Sequence, residues 1–136
     1  DSNTTLTKHA NANRTNVIPD TGGNRVYKLT TPSAVGEYYH FIYGGAAADA
    51  HDTTVQALTA DDSVFFKGCI VHHSASVIPG DNGTTAIFSD GDSNSALAIN
   101  NAAMVDLHFL AYSPTVWYTW GTIVSDTAPA FADQGD

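Results

Sequence analysis

Six histidines stand in this chain of 136 residues, and they are the first side chains to weigh for metal or acid–base chemistry. His72 and His73 are adjacent, so on a strand they point to opposite faces and do not readily share an ion. Asp106 and His108 are two residues apart, which on a strand places a carboxylate and an imidazole on one face. A zinc site needs three or four such ligands, and the sequence names no third group for this pair. The expectation is a surface pair, or a hydrogen-bonded pair at a subunit contact, and not a metal site on which folding depends.

Other candidate chemistries are incomplete. Asp90-Gly91-Asp92-Ser93-Asn94 has oxygen ligands at the first, third and fifth positions, as a calcium loop begins. Ser95 then stands where that loop needs Gly, and Asn101 where it needs a bidentate Glu. An Asp-rich turn accounts for the segment without an ion. Cys69, the lone cysteine, lies between Gly68 and Ile70 in an apolar run and reads as a small buried hydrophobe. No Gly-x-Ser-x-Gly elbow is present. Glu37 is the only Glu among fourteen acidic residues and has no evident partner for two-carboxylate hydrolysis. The chain is therefore read as non-enzymatic, with no catalytic residue, cofactor or metal; a hydrolase using Asp106 and His108 ranks behind binding roles.

The elements that carry these residues read as strands. Eight candidates, separated by turn signals, are Val26–Leu29, Tyr38–Tyr43, Thr53–Leu58, Val64–Val71, Thr85–Phe88, Ala96–Ile99, Met104–Tyr112 and Val116–Val124. Ser113-Pro114-Thr115 joins the last two as a short hairpin-like link. Val105, Leu107, Phe109 and Ala111 form a clean core face, and Asp106 and His108 lie on the other. Val116–Val124 carries bulky aromatics on both faces, so its second face needs a cover. Turn chemistry is also expected at Pro79–Gly83, and one helical turn over Gly44–Ala50. The Asp-rich, Glu-poor composition agrees with strands and turns more than with helix interiors. The class is all-β, a β-sandwich or jelly-roll-like domain over 25–136.

Residues 1–24 carry almost no large apolar side chain and read as an extended polar arm, anchored at most through Leu6, Val17 and Ile18. A net charge of −9 leaves no basic patch for nucleic acid. No apolar run approaches the roughly 20 residues of a membrane span, and no secretory signal peptide is visible.

The segment Val105-Asp106-Leu107-His108-Phe109-Leu110-Ala111-Tyr112-Ser113, then Trp117-Tyr118-Thr119-Trp120-Gly121-Thr122-Ile123, resembles small virion proteins of tailed bacteriophages, in particular head decoration (cement) proteins. Thr127-Ala128-Pro129-Ala130-Phe131 matches their usual tail, and the likeness extends loosely from Gly22 to Phe131. It departs in the first 20 residues, and Asn100-Asn101-Ala102-Ala103 replaces the paired glycines of the polar hairpin. The resemblance implies a structural protein that decorates and stabilises a capsid. Its partners would be the major capsid protein and itself, as a homotrimer on the outer surface of the virion head. On that reading Trp117, Thr119, Trp120, Ile123, Asp106 and His108 are candidate subunit contacts, and Leu6, Val17 and Ile18 belong to a capsid-binding arm. The alternative is a carbohydrate- or receptor-binding module of a tail fibre or adhesin.

Overall fold

The computed structural model describes residues 3–45, 50–59, 63–76 and 83–134. Residues 79–82 of the turn expected over Pro79–Gly83 and residues 46–49 of the helical turn expected over Gly44–Ala50 lie outside them. All eight expected strands form: β3 (Arg25–Lys28), β4 (Tyr38–Tyr43), β5 (Thr53–Gln56), β6 (Phe65–Ser74), β7 (Thr84–Asp90), β8 (Ala96–Ile99), β9 (Ala102–Ser113) and β10 (Val116–Ser125). Three short ones join them: β1 (Thr4–Thr5), β2 (Thr15–Ile18) and β11 (Ala130–Ala132). The one helix among the described residues, α1 (Lys8–Asn11), is four residues long, with the Thr7 hydroxyl accepting from the Ala10 N–H at its start.

These strands make two sheets, ordered β1-β3-β5-β8-β11 and β2-β4-β9-β10-β6-β7. Each mixes parallel and antiparallel neighbours: β1, β3 and β5 run parallel, as do β2 with β4 and β6 with β10. The all-β sandwich expectation holds, with parallel pairs that an antiparallel jelly roll lacks. The sheets close on one core in which Trp117, Tyr39, Phe41, Phe66 and Phe109 are the bulkiest fully buried groups of the larger sheet. Leu29, Leu97 and Ile99 are buried with them. Alternation along β9 is as expected: Val105, Leu107, Phe109 and Ala111 are buried, while Asp106 faces out.

The segment read as an arm is part of the body. Its β1 extends one sheet beside β3, and its β2 extends the other beside β4. Leu6 and Ile18 lie in the core at 3 % and 1 % exposure. Two isolated apolar residues suffice because main-chain hydrogen bonding to the open sheet edges supplies the remaining order. Leu6 and Ile18 are thus unavailable to a capsid, whereas Val17 points outward.

Two glycines set how closely the central strands approach. A Cβ on Gly121, whose φ is +148°, would stand 2.1 Å from the Asp106 carbonyl oxygen, and one on Gly68 would stand 1.9 Å from that of Thr119. Only a residue without a side chain fits either place. Gly121→Ala is expected to destabilise the protein by about 2 kcal/mol or more, measured as a lowered denaturant midpoint. An unchanged midpoint would contradict this account of the β9–β10 contact.

Candidate functional site

The outer face of the six-stranded sheet is where the chemistry-bearing side chains meet. Register places Thr15, His40, His108, Trp120, Cys69 and Phe88 in one row across β2, β4, β9, β10, β6 and β7. Directly opposed residues of neighbouring strands share a face and stand about 5 Å apart, so the row is continuous. The His40 and His108 rings stack with centroids 4.3 Å apart and planes 4° apart. Trp120 stacks on the far side of His108 at 5.0 Å and 7°. Tyr38, in the next row, lies against His108, His40 and Trp120.

Asp106 ties the two imidazoles together. Its Oδ1 lies 2.8 Å from His40 Nε2 and 2.9 Å from His108 Nε2. The third group that the sequence did not name is therefore His40, brought from β4 by its pairing with β9. At their other nitrogens, His40 Nδ1 meets the Thr15 hydroxyl at 2.9 Å and His108 Nδ1 meets the Tyr38 hydroxyl. The hydrogen bond from His40 leads in holding the Asp106 carboxyl below its ordinary range, against burial, which pushes it up; the electrostatic pull of the two imidazoles adds to the lowering. Burial, then the negative charge of Asp106, pushes the Tyr38 hydroxyl up, so it stays a phenol. His40, Asp106 and His108 each offer one ligand atom, all within 4.8 Å of one another. The arrangement can hold a proton or a divalent cation.

The other candidate contacts divide by face. Trp120, Asp106 and His108 are outside, but Trp117, Thr119 and Ile123 are fully buried between the sheets and cannot meet another subunit. The Trp117 indole N–H and the Thr119 hydroxyl have no hydrogen-bond partner among the described residues. Cys69 is half-buried on the outer face, not in the core. His72 and His73 do point to opposite faces: His72 is buried against the Ser125 carbonyl at 3.1 Å, and His73 meets the Thr84 hydroxyl outside. In the Asp90–Asn94 turn, Asp90 accepts from the Asp92 N–H and the Ser93 hydroxyl. The Asp92 N–H leads in drawing the Asp90 carboxyl down, while hydrogen bonding to Asp90 pushes the Asp92 carboxyl up.

Glu37 is held by hydroxyls, a main-chain N–H and a lysine. Its carboxylate, 7 % exposed, accepts from the Thr30 hydroxyl at 2.9 Å and from Ser33 N–H and Oγ at 3.2 and 3.0 Å, with Lys8 Nζ at 3.6 Å. The Tyr39 hydroxyl joins through Thr30, and burial raises its pKa against that hydrogen bond. A shallow groove lined in part by Lys8, Asn13, Ser33 and Glu37 lies alongside. The cluster fastens the 30–37 loop to α1 and β4.

No protein-family model, curated protein or solved structure matches this chain.

Glu37→Ala, which removes the acceptor of the Thr30 hydroxyl and of the Ser33 N–H and hydroxyl, is expected to cost about 2 kcal/mol in a denaturant titration. Thr119→Val removes a buried hydroxyl without a partner and is expected to raise stability by about 1 kcal/mol. A destabilised Thr119→Val protein would mean that the hydroxyl is satisfied after all.

Proposed function

We propose that this chain is a structural virion protein that decorates and stabilises a tailed-bacteriophage head. In this reading it is bound to the major capsid protein on the outer surface, as a homotrimer. One observation carries the interaction part of the reading: the contrast between the two outer faces of the sandwich. The five-stranded sheet turns outward small and polar rows such as Val26–Thr54–Ala98–Ala130 and Lys28–Gln56. The six-stranded sheet turns outward Phe88 at 71 %, Tyr112 at 63 %, Tyr118 at 41 % and Trp120 at 37 % exposure, with Met104 exposed farther along β9 beyond Asp106. Contiguous exposed apolar side chains mark interaction surfaces, and Trp and Tyr are the common anchors within them. The virion setting is supported by the sequence pattern that runs through β9, β10 and the Thr127–Phe131 tail.

The subunit contact accordingly rests on Tyr118 and Trp120, together with the outward Asp106 and His108. Repulsion between chains of net charge −9 is largely screened beyond about 8 Å at physiological salt, which leaves apolar burial to decide association. A glycan would use ring faces, yet the faces of His40, His108 and Trp120 are turned toward one another. Protein docking against ring edges therefore fits this surface better than sugar stacking.

Light scattering at micromolar concentration is expected to give a trimer mass. The double substitution Tyr118→Ser with Trp120→Ser is expected to weaken association by about 2 kcal/mol or more without altering the circular dichroism spectrum. Mass spectrometry of purified particles should find the chain with heads. Recovery only with tails, joined to measurable glycan affinity of the isolated protein, would replace this reading with the tail-fibre or adhesin one.

A further inference from the structure

We propose that His40, Asp106 and His108 form a zinc-binding site on the outer face of the six-stranded sheet. The inference goes beyond the decoration reading and does not depend on it. Two imidazole nitrogens and a carboxylate oxygen are a ligand set suited to zinc, which three protein ligands hold with a fourth position left open. All three donors converge: both Nε2 atoms lie within 2.9 Å of the same Asp106 oxygen. Tetrahedral zinc with bonds near 2.0–2.2 Å separates its donors by about 3.3 Å, so each imidazole–carboxylate distance must open by a fraction of an ångström, while the two Nε2 atoms, within 4.8 Å of one another, must settle at that same separation.

The surroundings of the ligands point the same way. Zinc-binding histidines characteristically have the second ring nitrogen hydrogen-bonded, which fixes the tautomer and orientation. Here Nδ1 of His40 faces the Thr15 hydroxyl and Nδ1 of His108 faces the Tyr38 hydroxyl. A hydroxyl both donates and accepts. Without metal, Nε2–H of each ring donates to Asp106, and the hydroxyl donates to Nδ1. With zinc on the Nε2 lone pairs, each Nδ1–H donates to its hydroxyl instead. Neither state leaves a ring nitrogen unpartnered, so the metal-free site is stable and the fold does not require the ion.

Binding has one structural cost that also gives a signal. The imidazole planes are nearly parallel, and an ion lies along the lone pair of each ring, so the rings must tilt out of their stack. Trp120, stacked on His108, then changes its surroundings, and its fluorescence reports the event.

The test uses the full chain without a polyhistidine tag, first stripped with chelator and then titrated with Zn2+ while calorimetry and tryptophan emission are recorded. One equivalent is expected to bind, with a change in emission that is lost in Trp120→Phe. Co2+ in place of zinc is expected to give the visible absorption of a four-coordinate site, bleached by added zinc. His40→Ala and Asp106→Asn are each expected to abolish the binding, whereas His73→Ala on the same face leaves it unchanged. Thr15→Ala and Tyr38→Phe are expected to weaken it by about 10-fold or more. These side chains stand outside the core, and circular dichroism of each variant checks that the fold persists. Absence of binding to the intact chain, or binding that survives both His40→Ala and Asp106→Asn, would overturn the proposal.

Discussion

One unpaired residue decides which aromatic groups of this protein are inside. At the β9–β10 hairpin Val116 faces Ser113, but the next pair is Trp117 with Ala111, so Tyr112 has no partner on β10. This is a β-bulge, and a register slip of one residue carries every following side chain to the opposite face. A regular hairpin would set Trp120 opposite Phe109, in the core. With the bulge, Trp120 lies opposite His108, and Trp117 and Thr119 fill the space between the sheets. A second shift, between Val124 and Ser125, skips Ala103 and returns buried Ser125 to the side of buried Ala102. Trp120 joins the outer row of imidazole groups only because of the first of these.

The same bulge explains what the sequence concealed. The pattern of β9 was legible because Val105, Leu107, Phe109 and Ala111 alternate cleanly with polar neighbours, and Asp106 and His108 were placed correctly on one face. The pattern of β10 was not, since its inward face contains Thr119 and Gly121 while its outward face contains Tyr118, Trp120 and Val124. By hydropathy alone neither face is the core. Only the pairing of Thr119 with Phe109 settles the matter, and it follows from an irregularity that no residue type near Tyr112 announces.

His40 was hidden for a different reason. It sits 66 positions before Asp106, in a strand whose aromatic density drew attention to its β propensity and not to its one imidazole. Period-two alternation puts Tyr38, His40 and Ile42 of such a strand on a common face, but the position of β4 beside β9 is a matter of strand order, which local sequence does not encode. Leu6, Ile18 and β11 were obscured likewise. Each is short, and each draws its order from an edge that some other part of the chain provides. The partners of Glu37 come partly from Thr30 and Ser33, close in sequence, and a side chain–main chain clasp over a loop was a signal that could have been read.

A charged cluster in the middle of an apolar face is compatible with docking for a specific reason. Covering an isolated carboxylate with a partner surface costs several kcal/mol in effective desolvation. Asp106 is not isolated: both imidazoles direct a ring nitrogen at one of its oxygens, and their other nitrogens are occupied by Thr15 and Tyr38. The network satisfies itself within one chain, so a surface laid over it need supply hydrogen bonds only to the second carboxylate oxygen. The aromatic neighbours can then contribute apolar burial around a carboxylate that is already hydrogen-bonded. Self-sufficiency of the His–Asp–His network is what allows a single face to contain both the ionisable groups and the exposed aromatic side chains.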